Sequence, residues 1–410
     1  MKVLKLIKHP LLSGSLIMVL GSNLFNFGQF VYHFIVGRLL GKVYYGDLAA
    51  IISILAFFSI IQLSIGLTIV KFITSKKTKE EIANLSKWFN HWALVAGGIV
   101  AILTLILSPM LIKFLNITQP AAVYLLAPTL FFTIVTFTYR SILQGLLLFG
   151  RYVTSLLVEA VAKIILTIVL VFSGFSVFGA MGGIGLGILS SYFITRFSLS
   201  AYLVGKKGKV PAILPLVKYS LPVFLQGVAL TSMYSTDLIL VKHFFPEDTA
   251  GIYASLAVLG RVAFFGSSPI IHVMFPLIAK RHTLNQPYLN IFYLSILLVS
   301  VIAGAVVMLY LLLPKLVVGI FYGQDFIEGA PMLWWFGLFM AVLSVAVLFI
   351  QFYLSLGKTK VVWFFIAAAF LQAILIWFIH PDLLTVIKLS ILSVALLVAS
   401  LIVYFPYHKR

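Results

Sequence analysis

The sequence predicts an all-α polytopic membrane protein, with about 12 transmembrane helices in two parallel six-helix bundles around a central cavity. Three observations lead there. First, 62% of the 410 residues are hydrophobic and 10% are charged. Soluble domains average about 45–50% and about 25%, so a soluble class is excluded. Second, the chain divides into apolar runs near the about 20 residues that cross a bilayer. Third, the second half echoes the first.

The runs come in order at about 11–37, 45–70, 88–114, 121–147, 153–173 and 179–202. The second half holds about 215–243, 249–279, 288–313, 331–355, 361–379 and 383–405. The first run follows Lys2, Lys5 and Lys8 as a signal peptide would, but it is too long and no small-residue cleavage site follows it. It is expected to be an uncleaved transmembrane helix. The connections are short, and none is long enough to fold as a domain. The basic stretch around Gly205-Lys206-Lys207-Gly208-Lys209 divides the chain near its midpoint. The expected domains are therefore a bundle over 1–205, a cytoplasmic linker over 206–214 and a second bundle over 215–410.

Lysine and arginine orient the spans. With both termini inside, 20 of the 29 basic residues fall on inside segments, among them Lys71, Lys87, Arg151, Lys280 and Lys358, and only 6 lie at outside ends. Arg38, Lys42 and Lys242 are in the outside group. This bias predicts a multi-pass protein of the cytoplasmic (inner) membrane. It also turns the formal charge of +19 into a record of topology and of attraction to anionic lipid, so nucleic acid is not an expected partner.

Two echoes relate the halves. Gly46-x-x-Ala49 matches Gly251-x-x-Ala254 at an offset of 205, and Gln144 with Gly150-Arg151 matches Gln351 with Gly357-Lys358 at 207. Six spans per half make this a parallel repeat.

The first span carries a polar stripe. At 100° per residue, Ser22, Asn26, Gln29 and His33 fall within roughly 60° of one another. Gln226 and Asp237 share a face of the seventh span, and Asp237 matches His33, each lying five residues before a basic residue. Stripes of this kind line water or bond across helices; several such groups favour lining. Five ionisable residues, Arg140, Glu159, Lys163, Asp237 and Arg261, lie well within spans. Together they would cost about 12–18 kcal/mol on insertion scales if left alone, so each must pair or face water. Glu159 and Lys163 stand four apart, in the order that favours an ion pair, and Arg140 lies at a similar depth on the preceding span. They either fasten two helices or form a cationic patch with Glu159 orienting it. Arg261 either bridges to Asp237 or grips a phosphate. His33, Asp237 and Glu159 are candidates for ion coupling or gating. Most aromatic residues are expected at lipid and interface positions.

Several motifs then resemble a known family. The stretches Tyr219-Ser220-Leu221-Pro222, Asp237-Leu238-Ile239-Leu240-Val241 and Ala250-Gly251-x-Tyr253-x-x-x-Ala257 are similar to the oligosaccharide flippases of polysaccharide biosynthesis. So is Leu143-Gln144-Gly145 with Phe149, Tyr152, Glu159 and Lys163. These Wzx-type proteins belong to the multidrug/oligosaccharidyl-lipid/polysaccharide exporter superfamily. The resemblance implies two bundles in a V that move a lipid-linked oligosaccharide outward by alternating access. In that reading Arg261, Arg140, Lys163, Asn26, Gln29 and Gln226 contact the substrate headgroup. The alternative is a cation- or drug-extruding antiporter of the same superfamily. A membrane glycosyltransferase or polymerase is disfavoured, because such chemistry usually sits on long outer loops, which are absent here. No phosphate-binding loop, metal-spaced cluster or cysteine is present, so the expectation is a transporter without enzyme activity, cofactor or metal. The expected partners are the lipid-linked substrate and membrane lipids, the protein acting as a monomer with or without polysaccharide assembly enzymes.

Overall fold

The computed structural model describes residues 10–74, 78–202 and 213–405. Most of the linker expected at 206–214, and both termini, lie outside these residues. Thirteen α-helices account for nearly all of the described chain. The first group is α1 (Pro10–Thr74), α2 (Lys79–Phe114), α3 (Pro120–Tyr124), α4 (Leu126–Gly145), α5 (Phe149–Leu170) and α6 (Ser176–Ser198). Then come α7 (Ile213–Phe244), α8 (Glu247–Thr283), α9 (Leu289–Leu312), α10 (Pro314–Phe321), α11 (Leu333–Ser355), α12 (Val361–Phe378) and α13 (Leu383–Tyr404). Among the described residues, ten stretches are long and apolar enough to cross a membrane. Two of them, Leu20–Phe58 and Phe149–Ser198, each run through a backbone break into a second crossing. Twelve crossings result, as the sequence predicts.

The breaks and starts have local causes. Gly41, at φ 68° and ψ 176°, divides α1 into limbs 10–40 and 42–74, in a backbone region that side-chain-bearing residues rarely enter. A capping box starts α2: Thr78 Oγ1 accepts from Glu81 N at 3.2 Å, and Glu81 Oε2 accepts from Thr78 N at 3.3 Å. Asp382 caps α13 through Thr385 N at 2.8 Å. Pro120 and Pro314 open their helices at positions where no amide hydrogen is needed. The connection expected as a loop near 314–330 is instead α10 followed by a 3₁₀ stretch, Gln324–Met332.

Large apolar side chains face outward, as a lipid solvent requires: Ile106, Met110, Phe197 and Phe378 are all exposed. Buried positions instead carry hydroxyls that bond back to their own helix, as Ser108 does to Thr104 O at 2.7 Å. That bond removes the cost of an unpaired hydroxyl away from water.

The chain forms two compact units, one of residues 1–40 with 54–224, the other of 41–53 with 225–410. In the first, α5 packs on α6, α2 on α4 and α4 on α6. Ile69, Leu85, Phe89, Tyr139 and Leu143 are among its core residues. In the second, α8 packs on α9 and α11, and α11 on α13.

The segment 41–53 enters the second unit at the first sequence echo. The two echo glycines meet: a Cβ on Gly46 would lie 2.9 Å from Gly251 N, and one on Gly251 would run into the backbone of Lys42. Gly251→Ala is therefore expected to destabilise the protein by about 1–3 kcal/mol, as overpacking against fixed backbone does. Gly98→Ala, with open space at its Cβ, should be neutral or slightly stabilising. Thermal unfolding in detergent compares them; equal midpoints for the two variants would show that the backbones do not approach so closely. The second echo shifts by about a turn. The same turn closes α4 and α11, Leu148 N bonding to Leu143 O and Lys358 N to Tyr353 O, each at 2.9 Å. That is an offset of 210, not the 207 of the Gln144 and Gln351 match.

Candidate functional site

The polar stripe of α1 meets α5 because small residues let the two helices approach. Gly21 lies against Val153 and Gly28 against Ala160, a heptad apart on both helices. This register leaves a cavity of about 380 Å³ within the first unit. Ser22, Asn26, Thr133, Thr136, Arg140, Tyr152 and Glu159 supply its polar lining, with Phe25, Phe137, Leu156 and Ile188 between them. Of the stripe, Ser22 and Asn26 reach this cavity.

Arg140 is held from several sides. Its Nη2 lies 2.7 Å from Glu159 Oε2 and also donates to Ser191 Oγ at 2.7 Å and Ser155 O at 3.0 Å. Its Nε donates to Ser155 Oγ at 2.9 Å. Ser155 sits four residues before Glu159, so one face of α5 presents both acceptors to the arginine. Among the described residues Nη1 makes no hydrogen bond, which leaves an N–H edge for a ligand in the lined space.

Lys163 does not pair with Glu159. Its Nζ donates to Gln29 Oε1 and lies 4.0 Å over the Tyr32 ring, whose hydroxyl donates to Ala180 O at 3.2 Å. Glu159 is engaged by Arg140, and an arginine fork on a neighbouring helix competes well against an ammonium one turn along. Gly187 permits the fit, since a Cβ there would touch Lys163 Cβ at 2.9 Å and Glu159 O at 3.0 Å. His33 lies beside Tyr32, with ring centroids 5.8 Å apart.

In the second unit the Arg261–Asp237 bridge, one of the two readings of that arginine, is not made among the described residues. The carboxylate of Asp237, fully buried, accepts from Tyr253 Oη at 2.8 Å. Arg261 instead donates through Nη2 to Tyr234 O at 2.6 Å and stacks on the Tyr234 ring at 5.2 Å, while its Nε has no partner. Gln226 is half-buried on the same helix as Asp237.

Sequence reading missed the most deeply buried charge pair. Lys242 Nζ lies 2.6 Å from Asp47 Oδ1, both side chains fully buried. Lys242 is expected at a water-facing helix end, and Asp47 does not figure among the in-span charges. The missed signal was available: Asp47 lies inside the run 45–70, where an acid needs a partner. Nearby, Tyr45 and Tyr322 hydroxyls are 2.9 Å apart, and Lys42 lies 3.5 Å from Asp248 and 3.7 Å from Glu328. No trio of acidic and histidine side chains that could hold a metal ion occurs among the described residues.

The family described as polysaccharide biosynthesis protein matches residues 11–282. Among solved structures, an inward-facing conformation of a multidrug resistance MATE family transporter of the MOP superfamily aligns with a TM-score of 0.77. The identity is 13%, over 92% of this chain and 95% of that one. The lipid II flippase MurJ, in an inward closed conformation, aligns with a TM-score of 0.73 at 13% identity, over 95% of this chain and 87% of that one. An outward-facing conformation of a MATE family transporter of the same superfamily gives 0.65 at 12% identity, over 95% and 93%. No curated protein matches the sequence. These likenesses show that the chain shares the fold of these multi-pass membrane proteins.

Proposed function

The chain belongs to the family of polysaccharide biosynthesis proteins, and on that premise we propose that it flips a lipid-diphosphate-linked oligosaccharide from the cytoplasmic to the outer leaflet by alternating access. The observation that carries the reading is the cavity of the first unit, where hydroxyls and an amide line a space together with Arg140. Sugars present many hydroxyls that need such partners, and a phosphate suits an arginine with an N–H edge to spare. Arg140 and Asn26, which line it, are the groups proposed to meet a headgroup there, with Lys163 and Gln29, bonded to each other, proposed beside them. Arg261, with Nε unpartnered, and Gln226 are the counterparts proposed for the second unit. Glu159, Asp237 and His33 are the groups proposed for ion coupling or gating. A doubly negative headgroup moving outward across a 100 mV inside-negative potential gains about 4.6 kcal/mol, so the potential can drive the step.

The second reading, a cation- or drug-extruding antiporter, is favoured by the Glu159 carboxylate in that cavity and by the MATE fold. Reconstitution in liposomes separates the two. Translocation of a labelled lipid-diphosphate oligosaccharide is expected, without transport of a cationic dye. Dye export with no headgroup movement would reverse the assignment. Arg261→Ala should abolish flipping while the protein still inserts; normal flipping in that variant would remove Arg261 from the substrate path.

A further inference from the structure

A second cavity, of about 340 Å³, opens within the second unit where α8 turns into α9 and where α11 and α13 end. Tyr288, Leu289, Phe352, Tyr353, Leu356 and Phe405 line it, together with Pro287 and Asn290. Behind them the Phe292 ring stacks on Phe352 at 4.0 Å and lies 5.8 Å from Phe405, so the wall is a continuous aromatic surface. Nothing in the transport reading uses this space.

Its rim is basic. Arg281 is tied to the lining itself: its Nη1 donates to Pro287 O at 2.9 Å, and its own carbonyl accepts from Gln286 N at 2.9 Å. Lys358 N bonds to Tyr353 O at 2.9 Å, which sets the backbone of that lysine beside the lining residues Tyr353 and Leu356, in the turn at Gly357. Lys280 and Lys360 flank these two and are exposed. No acid answers them locally. The ten acidic residues of the chain leave 249–324, 329–381 and 383–410 entirely without Asp or Glu, and every residue lining this cavity falls in those stretches.

An apolar, aromatic cavity at the end of membrane helices, rimmed by arginine and lysine, selects a ligand with a long apolar part and a negative head. A small soluble anion would leave the aromatic wall without use, and a lipophilic cation would meet the rim's charge. We propose that this cavity is a binding site for an anionic phospholipid, its acyl chain on the aromatic wall and its phosphate between Arg281 and Lys358. A guanidinium has five N–H donors, so the bond to Pro287 O leaves Arg281 ample capacity for phosphate.

The test is lipid retention by the full-length protein in detergent, read by native mass spectrometry. Phosphatidylglycerol and phosphatidylcholine with the same acyl chains serve as probes. Phosphatidylglycerol should be held in preference. Arg281→Gln with Lys358→Gln should weaken it about 30-fold, at about fivefold for each surface charge. Leu356→Trp, which fills the cavity and keeps every charge, should lose it as well. Equal retention of the two lipids, or undiminished binding in either variant, overturns the proposal. So would phosphatidylglycerol binding that emerges only after residues 406–410 are removed, since the chain's own end would then be the occupant. The result is independent of which solute the protein transports.

Discussion

Lys242→Met is expected to destabilise the protein by about 3–5 kcal/mol, because it removes the cation that lies 2.6 Å from the fully buried Asp47 carboxylate. Asp47 is fully buried, and with its neighbours it anchors the segment 41–53 in the second unit. The double variant Asp47→Asn with Lys242→Met should recover most of the loss, since removing both charges also removes both desolvation costs. A double-mutant cycle on thermal unfolding in detergent measures the coupling. If Lys242→Met alone unfolds at the wild-type temperature, the pair does not hold the segment. Tyr45 and Tyr322, joined at 2.9 Å, would then be the next contact to remove.

Arg140→Met is expected to cost a similar amount, about 3–5 kcal/mol. It strips Glu159 of its cation and leaves the hydroxyls of Ser155 and Ser191 without their donor. Glu159 is 13% exposed, less enclosed than Asp47, so the loss should fall toward the lower end of that range. Arg140→Lys separates fold from function. The ammonium can still reach Glu159, so the protein should remain folded, but it cannot both satisfy that shell and present an N–H edge to a phosphate. Flipping in liposomes is expected to fall at least about tenfold, equivalent to one lost charge-assisted hydrogen bond of about 1.5 kcal/mol. Full flipping with lysine at this position would make Arg140 a structural cation only.

Family comparisons and the structure agree on what local chemistry can encode. Apolar runs of bilayer length specify a polytopic helical protein because each unpaired backbone group in lipid costs several kcal/mol, leaving the chain few alternatives to helix. That rule acts residue by residue, so the twelve crossings are readable without any knowledge of contacts. The polar stripe of α1 was legible for the same reason: helical period alone places Ser22, Asn26, Gln29 and His33 on one face. The in-span charges Arg140, Glu159, Lys163, Asp237 and Arg261 announced themselves by their expense.

Partner choice was legible only in part: a charge pair between α4 and α5 was one of the readings, and Arg140 with Glu159 makes it. Spacing favours Glu159 with Lys163, yet Arg140 takes the acid because α4 and α5 lie side by side and the guanidinium fork reaches Ser155, Glu159 and Ser191 together. Depth favours Arg261 with Asp237, yet Tyr253 already occupies that carboxylate. Asp47 and Lys242 are 195 positions apart, and no periodicity connects them. The sequence by itself determined the solvent of this protein, its helices and the charges that must be matched, all consequences of transferring single residues into lipid. Only the tertiary structure decided which charge matches which, and that the glycines of the first repeat touch each other. Those outcomes depend on distances set by helix packing, which no local rule contains.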